Sequence, residues 1–259
     1  MKEFLIRTLS ALGLIALVVG ITLLPDAGFF IIASIFLSLA AWEMGGLIAG
    51  RNGFRFLALV NFLILMFSLK FHIFLYGFLV VIILTGLYSL FTTGKEDVEG
   101  FFRDVSSALI PPFILAPTLF HIYLIWSKDK YQLYLIIFII SIADTAAYLF
   151  GTKFGKHKIF PVASPKKSWE GFVAALIFGA VAAISGILRG FSCSHMLIVG
   201  FITSLFAQLS DPFESLFKRA AGVKDSSNLI PGHGGVLDRI DSYIYAAPVF
   251  YYLFLLIGK

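Results

Sequence analysis

The chain has 259 residues, of which 59% are hydrophobic and only 14% charged. Soluble domains carry about 25% charged residues, so this composition excludes a soluble globular protein and indicates a polytopic membrane protein. The formal net charge of +5 suits contact with anionic headgroups or phosphates. The basic residues are scattered over many loops, which argues against a nucleic-acid partner. The single cysteine, Cys193, excludes an intrachain disulfide and a cysteine-based metal site.

A membrane-crossing helix needs about 20 largely apolar residues. Nine segments fit, at roughly 8–24, 28–49, 56–69, 71–92, 106–127, 132–150, 171–188, 195–210 and 241–258. The first follows Lys2 and Arg7 and shows no small-residue cleavage site before Pro25, so it reads as an uncleaved transmembrane helix. The third is short, ends at Lys70 and forms a tight hairpin with the fourth. With the N-terminus in the cytoplasm, 15 of the 20 basic residues fall on the inner side. Lys70, Lys128, Lys130, Arg189 and Lys259 remain outside. The expected fold is therefore an all-α polytopic membrane protein of about nine helices in the cell (inner) membrane. Two polar loops, 151–170 and 211–240, share its cytoplasmic face.

In the N-terminal part, Glu43 follows Trp42 within the second span, where an inter-helix hydrogen bond is its expected role. The segment 93–105 mixes both charge signs and reads as a solvated connector. Gly46-x-x-x-Gly50 and Gly186-x-x-x-Gly190 allow close helix contact but say little about oligomers, and a homodimer stays open. The chemistry-bearing residues fall in 131–259, which we take as the catalytic region, with 1–130 as its scaffold.

Asp144 lies within the sixth span, where a carboxylate costs about 3 kcal/mol on insertion scales. It therefore needs a function or a partner. In the loop that follows, Ser164-Pro165-Lys166-Lys167-Ser168-x-Glu170 reads as a proline-fixed turn, two cations and a helix start, an arrangement suited to a polyphosphate. The stretch 211–241 holds nine charged residues. Asp211-Pro212-x-Glu214 has the form of an N-cap, a first-turn proline and a capping-box glutamate, opening a short helix over 212–221. On that helix Ser215, Lys218 and Arg219 share a face. Lys224-Asp225 precedes a polar turn, then Pro231-Gly232-His233-Gly234-Gly235, whose glycines let backbone N–H groups approach an anion. Asp238-Arg239-x-Asp241 sets two carboxylates three residues apart at the start of the last span. Dipole compensation needs only one of them. With Asp211 they form a credible site for a hard cation such as Mg²⁺. Carboxylates, fixed cations and a glycine turn suit phosphoryl or nucleotidyl transfer.

Ser215-x-x-Lys218-Arg219-x-x-x-x-Lys224-Asp225, continuing to Pro231-x-His233-Gly234-Gly235-x-x-Asp238-Arg239-x-Asp241, resembles the signature of the phosphatidate cytidylyltransferases (CDP-diacylglycerol synthases). A second similar segment is Asp144-x-x-Ala147-Tyr148-x-x-Gly151, with Phe154-Gly155-Lys156 and Ser164-Pro165-x-Lys167. Ser227 departs from the pattern, in which glycine is common. The resemblance implies that CTP and phosphatidate give CDP-diacylglycerol and pyrophosphate with Mg²⁺, a second cation remaining open. It implies Asp211, Asp238 and Asp241 at the metal, with Asp144 beside them. Lys166, Lys167, Lys218, Arg219 and Lys224 would neutralise phosphates, and residues 232–235 would meet the leaving pyrophosphate. His233 and Arg239 could instead hold the phosphatidate, and the resemblance does not assign which cation meets which phosphate. A CTP-dependent polyprenol or phytol kinase, which has a different acceptor, is an alternative that hydropathy does not separate. A cation or phosphate transporter is the reading from another class, but the polar residues cluster at one face and no repeat is present.

Overall fold

The computed structural model describes residues 2–48 and 50–257, the side chains of residues 2–7 and of Glu96 excepted. Of the basic residues counted for sidedness, Lys259 and the side chains of Lys2 and Arg7 lie outside it. The elements are α1 (Lys2–Thr22), α2 (Asp26–Leu47), α3 (Asn52–Lys70), α4 (Phe74–Thr92), a 3-10 turn (Lys95–Gly100), α5 (Phe101–Lys128) and α6 (Lys130–Phe154). A hairpin of β1 (Lys158–Phe160) and β2 (Ser164–Ser168) follows. Then come α7 (Trp169–Ala183), a second 3-10 turn (Ile184–Arg189), α8 (Cys193–Ala220), α9 (Leu237–Ile240) and α10 (Tyr243–Ile257). Among the described residues eight helical segments are long and apolar enough to cross a membrane. Within α1, Thr8–Thr22 is a shorter apolar helix.

Helix α4 shows why this is a membrane architecture. Its buried residues are Gly77, Val81, Thr85 and Ser89, one per turn and mostly small or polar. Its exposed face carries Leu75, Tyr76, Leu79, Val80, Ile83, Leu87, Leu90 and Phe91. A soluble helix hides its apolar face. This one turns it outward, as a lipid-facing helix does.

The chain packs as two compact units. Unit 1 holds residues 1–120 and 220–240, and unit 2 holds residues 121–219 and 241–259. This division crosses the sequence boundary at 130 and splits the signature stretch in two.

In unit 1, α3 and α4 are separate full-length helices joined by three residues, Phe71 to Ile73. Helix α5 carries Pro111, Pro112 and Pro117 in its interior, and each removes one helical hydrogen bond. The carbonyl freed by Pro112 is that of Ala108. The fully buried Asn61 of α3 donates its Nδ2 to that oxygen at 3.1 Å and to Thr85 Oγ1 of α4 at 3.0 Å. One amide thus compensates the proline and ties three helices where water is absent. At the adjacent end of these helices, Arg51 donates its backbone N and Nε to Asp104 at 2.8 and 2.6 Å. Its Nη1 reaches Asp97 at 2.7 Å. The connector 93–105 is therefore a built ion-pair node rather than a solvated loop. Asp104 is 3% exposed, so breaking this pair would cost more than breaking the exposed Lys70–Asp26 pair at the far end of α2 and α3, worth at most about 1 kcal/mol. Gly46 and Gly50 lie against Arg55 and Ser107 of the same unit, so this GxxxG serves an intrachain contact.

In unit 2, α7 and α8 approach closely at Gly179 and Gly200. A methyl at Gly200 would meet the Gly179 carbonyl at 2.5 Å. The expected loop 151–170 is largely ordered structure. Helix α6 runs on to Phe154, and residues 164–168 form strand β2 instead of a turn. Ser168 caps α7, accepting from Gly171 N at 3.2 Å. At the other end of the unit, Arg189 meets Asp129 at 3.2 Å. The expected break before Pro212 is absent, because α8 continues through it to Ala220. A single interior proline forfeits one hydrogen bond, and the buried turn that follows it is held by the Glu214–Lys218 and Ser215–Asp211 contacts. The short helix over 212–221 and the Asp211 cap are thereby corrected.

Candidate active site

The long α8 delivers most of the polar groups of unit 2. Pro212 frees the carbonyl of Gln208 from the helix ladder, and the side chains around this point form a continuous chain. Gln208 Nε2 donates to Asp144 of α6 at 2.7 Å. Lys167 of β2 donates to Gln208 Oε1 at 3.3 Å and pairs with Asp211 at 2.8 Å. Ser215 Oγ donates to Asp211 Oδ1 at 3.2 Å. One turn on, Glu214 and Lys218 form an ion pair at 2.6 Å, 1% and 8% exposed. Ser210 Oγ donates to the carbonyl of Asp241 and accepts Tyr245 N, which pins the start of α10 on α8. That junction brings Asp241 within electrostatic reach of Asp211, Glu214 and Lys218. Asp144, Asp211, Glu214 and Asp241 thus face two ammonium groups, leaving a formal excess of two negative charges. Carboxylate oxygens are the donor type that a hard divalent cation takes. In the structure the ammonium of Lys167 occupies one cationic position, against Asp211.

Strand geometry separates the two lysines of the Ser-Pro-Lys-Lys run. Successive side chains of a strand point to opposite faces, so Lys167 joins the chain and Lys166 is exposed. The pair of cations read as one phosphate grip is thus one engaged cation and one outward cation. Ser164 is half-buried at the register partner of Phe160. A helical face was expected for Ser215, Lys218 and Arg219. Ser215 and Lys218 turn inward, whereas Arg219 is exposed. Accordingly, Lys167→Ala is expected to lower any phosphate-dependent turnover about tenfold or more, and Lys166→Ala less than threefold. Steady-state rates of the two purified variants check this, and equal losses would contradict the strand assignment.

Unit 1 carries the rest of the signature on the loop between Ala220 and α9. Here Asp238 Oδ2 accepts three donors: Ser226 N at 2.8 Å, Ser226 Oγ at 2.9 Å and Gly235 N at 2.8 Å. Glu43, near the end of α2 and fully buried, accepts four. Ser227 Oγ at 2.6 Å and Val236 N at 3.1 Å reach Oε1. Leu237 N at 2.7 Å reaches Oε2, as does Ser226 Oγ at 3.1 Å, whose single proton is shared with Asp238. The glycines are explained by this packing. Gly234 has φ +79°, in the left-handed region that side chains avoid. A methyl at Gly235 would fall 2.5 Å from both Glu43 oxygens. The glycine turn does bring N–H groups to an anion, but that of Gly235, with those of Val236 and Leu237 just beyond it, goes to internal carboxylates. Gly232 also has positive φ and is exposed. Nδ1 of His233 is buried and has no hydrogen-bond partner. Lys224, Asp225 and Arg239 are exposed. The chain breaks its helix at Asp241 and Ser242 between α9 and α10, where Ser242 N donates to Asp241 Oδ1 at 2.7 Å. Asp238 and Asp241 therefore do not lie on one helical face, and they belong to different units. Among the described residues no group of three or more histidine, cysteine, aspartate or glutamate side chains is gathered closely enough to hold a metal ion by itself.

The chain matches the model of the cytidylyltransferase family over residues 5–257. It belongs to that family. Among its relatives is a phosphatidate cytidylyltransferase of Staphylococcus saprophyticus, 38% identical over 151 residues, which cover 57% of this chain and 58% of that protein. Another is a phosphatidate cytidylyltransferase of Staphylococcus aureus, 45% identical over 114 residues, 43% of this chain and 44% of the relative. The matched segments thus span about half the length of those relatives.

In this cytidylyltransferase-family chain two polar residues stand out that the sequence alone did not single out for the site. Gln208 bridges Asp144 and Lys167, yet it reads in sequence as an ordinary polar residue inside a span. Its signal is four-residue spacing, which puts it one turn before Pro212 and beside Asp211. Glu43 was read as an inter-helix bond, whereas its partners are a loop 183 to 194 residues further along the chain.

Proposed function

We propose that the chain is an integral-membrane nucleotidyltransferase that makes CDP-diacylglycerol and pyrophosphate from CTP and phosphatidate. The observation that carries this reading is the carboxylate and lysine chain of unit 2, built on family signature positions. It has the charge inventory that a metal-bound triphosphate requires. Asp211 and Asp241 are the proposed Mg²⁺ ligands, with Asp238 the third signature carboxylate. When bound, the ion neutralises phosphate charge and polarises the α-phosphorus. Lys167 and Lys218 then serve the triphosphate, and Asp144 holds Gln208 so that Lys167 keeps its orientation.

The phosphatidate phosphate is largely ionised at neutral pH, so no strong general base is needed. One of its oxygens bonds to the α-phosphorus of CTP while the bond from that phosphorus to the bridging oxygen breaks. The electron pair leaves with pyrophosphate. Positioning and charge neutralisation supply most of the rate. His233 and Arg239, with Lys224, are assigned to lipid phosphate, and the unpartnered Nδ1 of His233 supports that role. The N-terminus and the reaction centre lie on the cytoplasmic side of the cell (inner) membrane. Supporting this, 15 of the 20 basic residues fall on the inner side when the nine sequence segments are threaded with the N-terminus inside. The test is pyrophosphate release by purified protein in detergent. Release that requires CTP, phosphatidate and Mg²⁺ together is expected. No release with any nucleotide would turn the reading to a transporter.

A further inference from the structure

We infer that Glu43 is a positioning residue: its carboxylate acts as a fixed internal anion on which the signature loop 226–237 is assembled. The loop contains no helix or strand before Leu237, and its residues Asn228, Leu229, Pro231 and Gly232 are exposed. An unsupported segment of that kind adopts many conformations. What holds it is a carboxylate carried by a transmembrane helix, at 0% exposure, with a hydroxyl and a backbone N–H on each of its two oxygens. The same loop places the second carboxylate, Asp238, through Ser226 and Gly235. Ser226 touches both, so the two carboxylates are linked by one hydroxyl. All of these groups lie within unit 1. The N-terminal helices are therefore more than a scaffold, because one of them sets the conformation of the segment that carries His233 and Asp238.

The chemistry of the four donors makes this exacting. Hydroxyls can rotate to accept, but the N–H groups of Val236 and Leu237 can only donate. A glutamine at 43 must present its NH2 to one oxygen position, and each position faces a backbone N–H. Either orientation sets donor against donor in a buried place, where an unmade hydrogen bond is expensive. Glu43→Gln is thus a nearly isosteric change that the fold tolerates in volume and the loop does not tolerate in polarity. Gly235→Ala attacks the same contact from the loop side without touching α2.

The activity arm of this inference rests on the proposed nucleotidyltransferase reading, and the exchange arm does not. Hydrogen–deuterium exchange of the full chain in detergent should show faster exchange in peptides spanning 226–237 for Glu43→Gln, by at least about tenfold, with peptides of α6 and α8 unchanged. Pyrophosphate release should fall at least tenfold, mostly in kcat. Glu43→Asp keeps the acceptor chemistry and should recover part of the loss. Gly235→Ala should reproduce the exchange change and covers the case in which the glutamine variant is poorly produced. Unchanged exchange in 226–237 for both variants would overturn the inference. So would an equal rise of exchange across the whole chain, since that is the mark of general destabilisation. Inactive wild-type protein with the selective exchange pattern would leave the positioning role standing and remove only the proposed reaction.

Discussion

Asp241→Asn and Asp211→Asn are each expected to reduce Mg²⁺-dependent pyrophosphate release by a factor of about 100 or more, the scale for removing a preorganised charge that acts on the transition state. The two residues come from different elements, α8 and the break before α10, and the Ser210 link to the Asp241 carbonyl holds those elements together. Neither substitution changes volume appreciably. Each removes one negative charge from a cluster in which Asp144, Asp211, Glu214 and Asp241 outnumber Lys167 and Lys218. Relief of that repulsion should leave thermal stability unchanged or slightly raised while activity falls. The checks are steady-state rates across a Mg²⁺ titration and melting in the same detergent. Activity and stability lost in parallel would mean that these carboxylates are structural.

Lys218→Met is the second large effect, and it acts on folding. Lys218 and Glu214 sit one turn apart on α8 and are almost fully removed from solvent. Glutamate preceding lysine at this spacing is the favourable orientation, but its exposed form is worth only a few tenths of a kcal/mol. Burial changes the scale, because removing one partner strands the other charge, at a cost of about 3–5 kcal/mol. For a chain of this size that corresponds to a fall of roughly 10 °C in melting temperature. The double variant Glu214→Gln with Lys218→Met removes the stranded charge and should recover much of the loss. Melting curves of the two proteins decide it. Equal stability of Lys218→Met and wild type would show that the pair is not the source of stability here.

Much of this was legible in the sequence, for identifiable reasons. Hydropathy alone marked the crossing helices, because lipid demands long apolar runs. The signature spacing marked Asp144, Lys167, Lys218 and Asp241, and the count of carboxylates suited to a cation marked Asp211; the structure brings all five into one cluster. Three features were hidden. Pro212 looked like a helix start because Asp-Pro-x-Glu has the form of a cap, yet tertiary burial carried the helix through it. Lys166 and Lys167 looked equivalent because the run seemed a turn, and only strand alternation separates them. Glu43 stood out as a carboxylate inside an apolar span, but nothing local pointed to its partners. Its four donors come from residues 226–237, and long-range pairing of that kind has no sequence period. The glycine turn was recognised as a place where N–H groups meet an anion, and the N–H of Gly235 goes to Asp238, an anion of the chain itself.

We propose that the unit 2 cluster transfers a cytidylyl group to a lipid phosphate. The most direct measurement is the lipid product formed by the purified protein from CTP, Mg²⁺ and phosphatidate, identified by mass. CDP-diacylglycerol is expected in amounts equal to the pyrophosphate released, with both products reduced about 100-fold or more in the Asp211→Asn protein. A phosphorylated lipid with release of CDP, or no nucleotide-dependent product from folded protein, would contradict it.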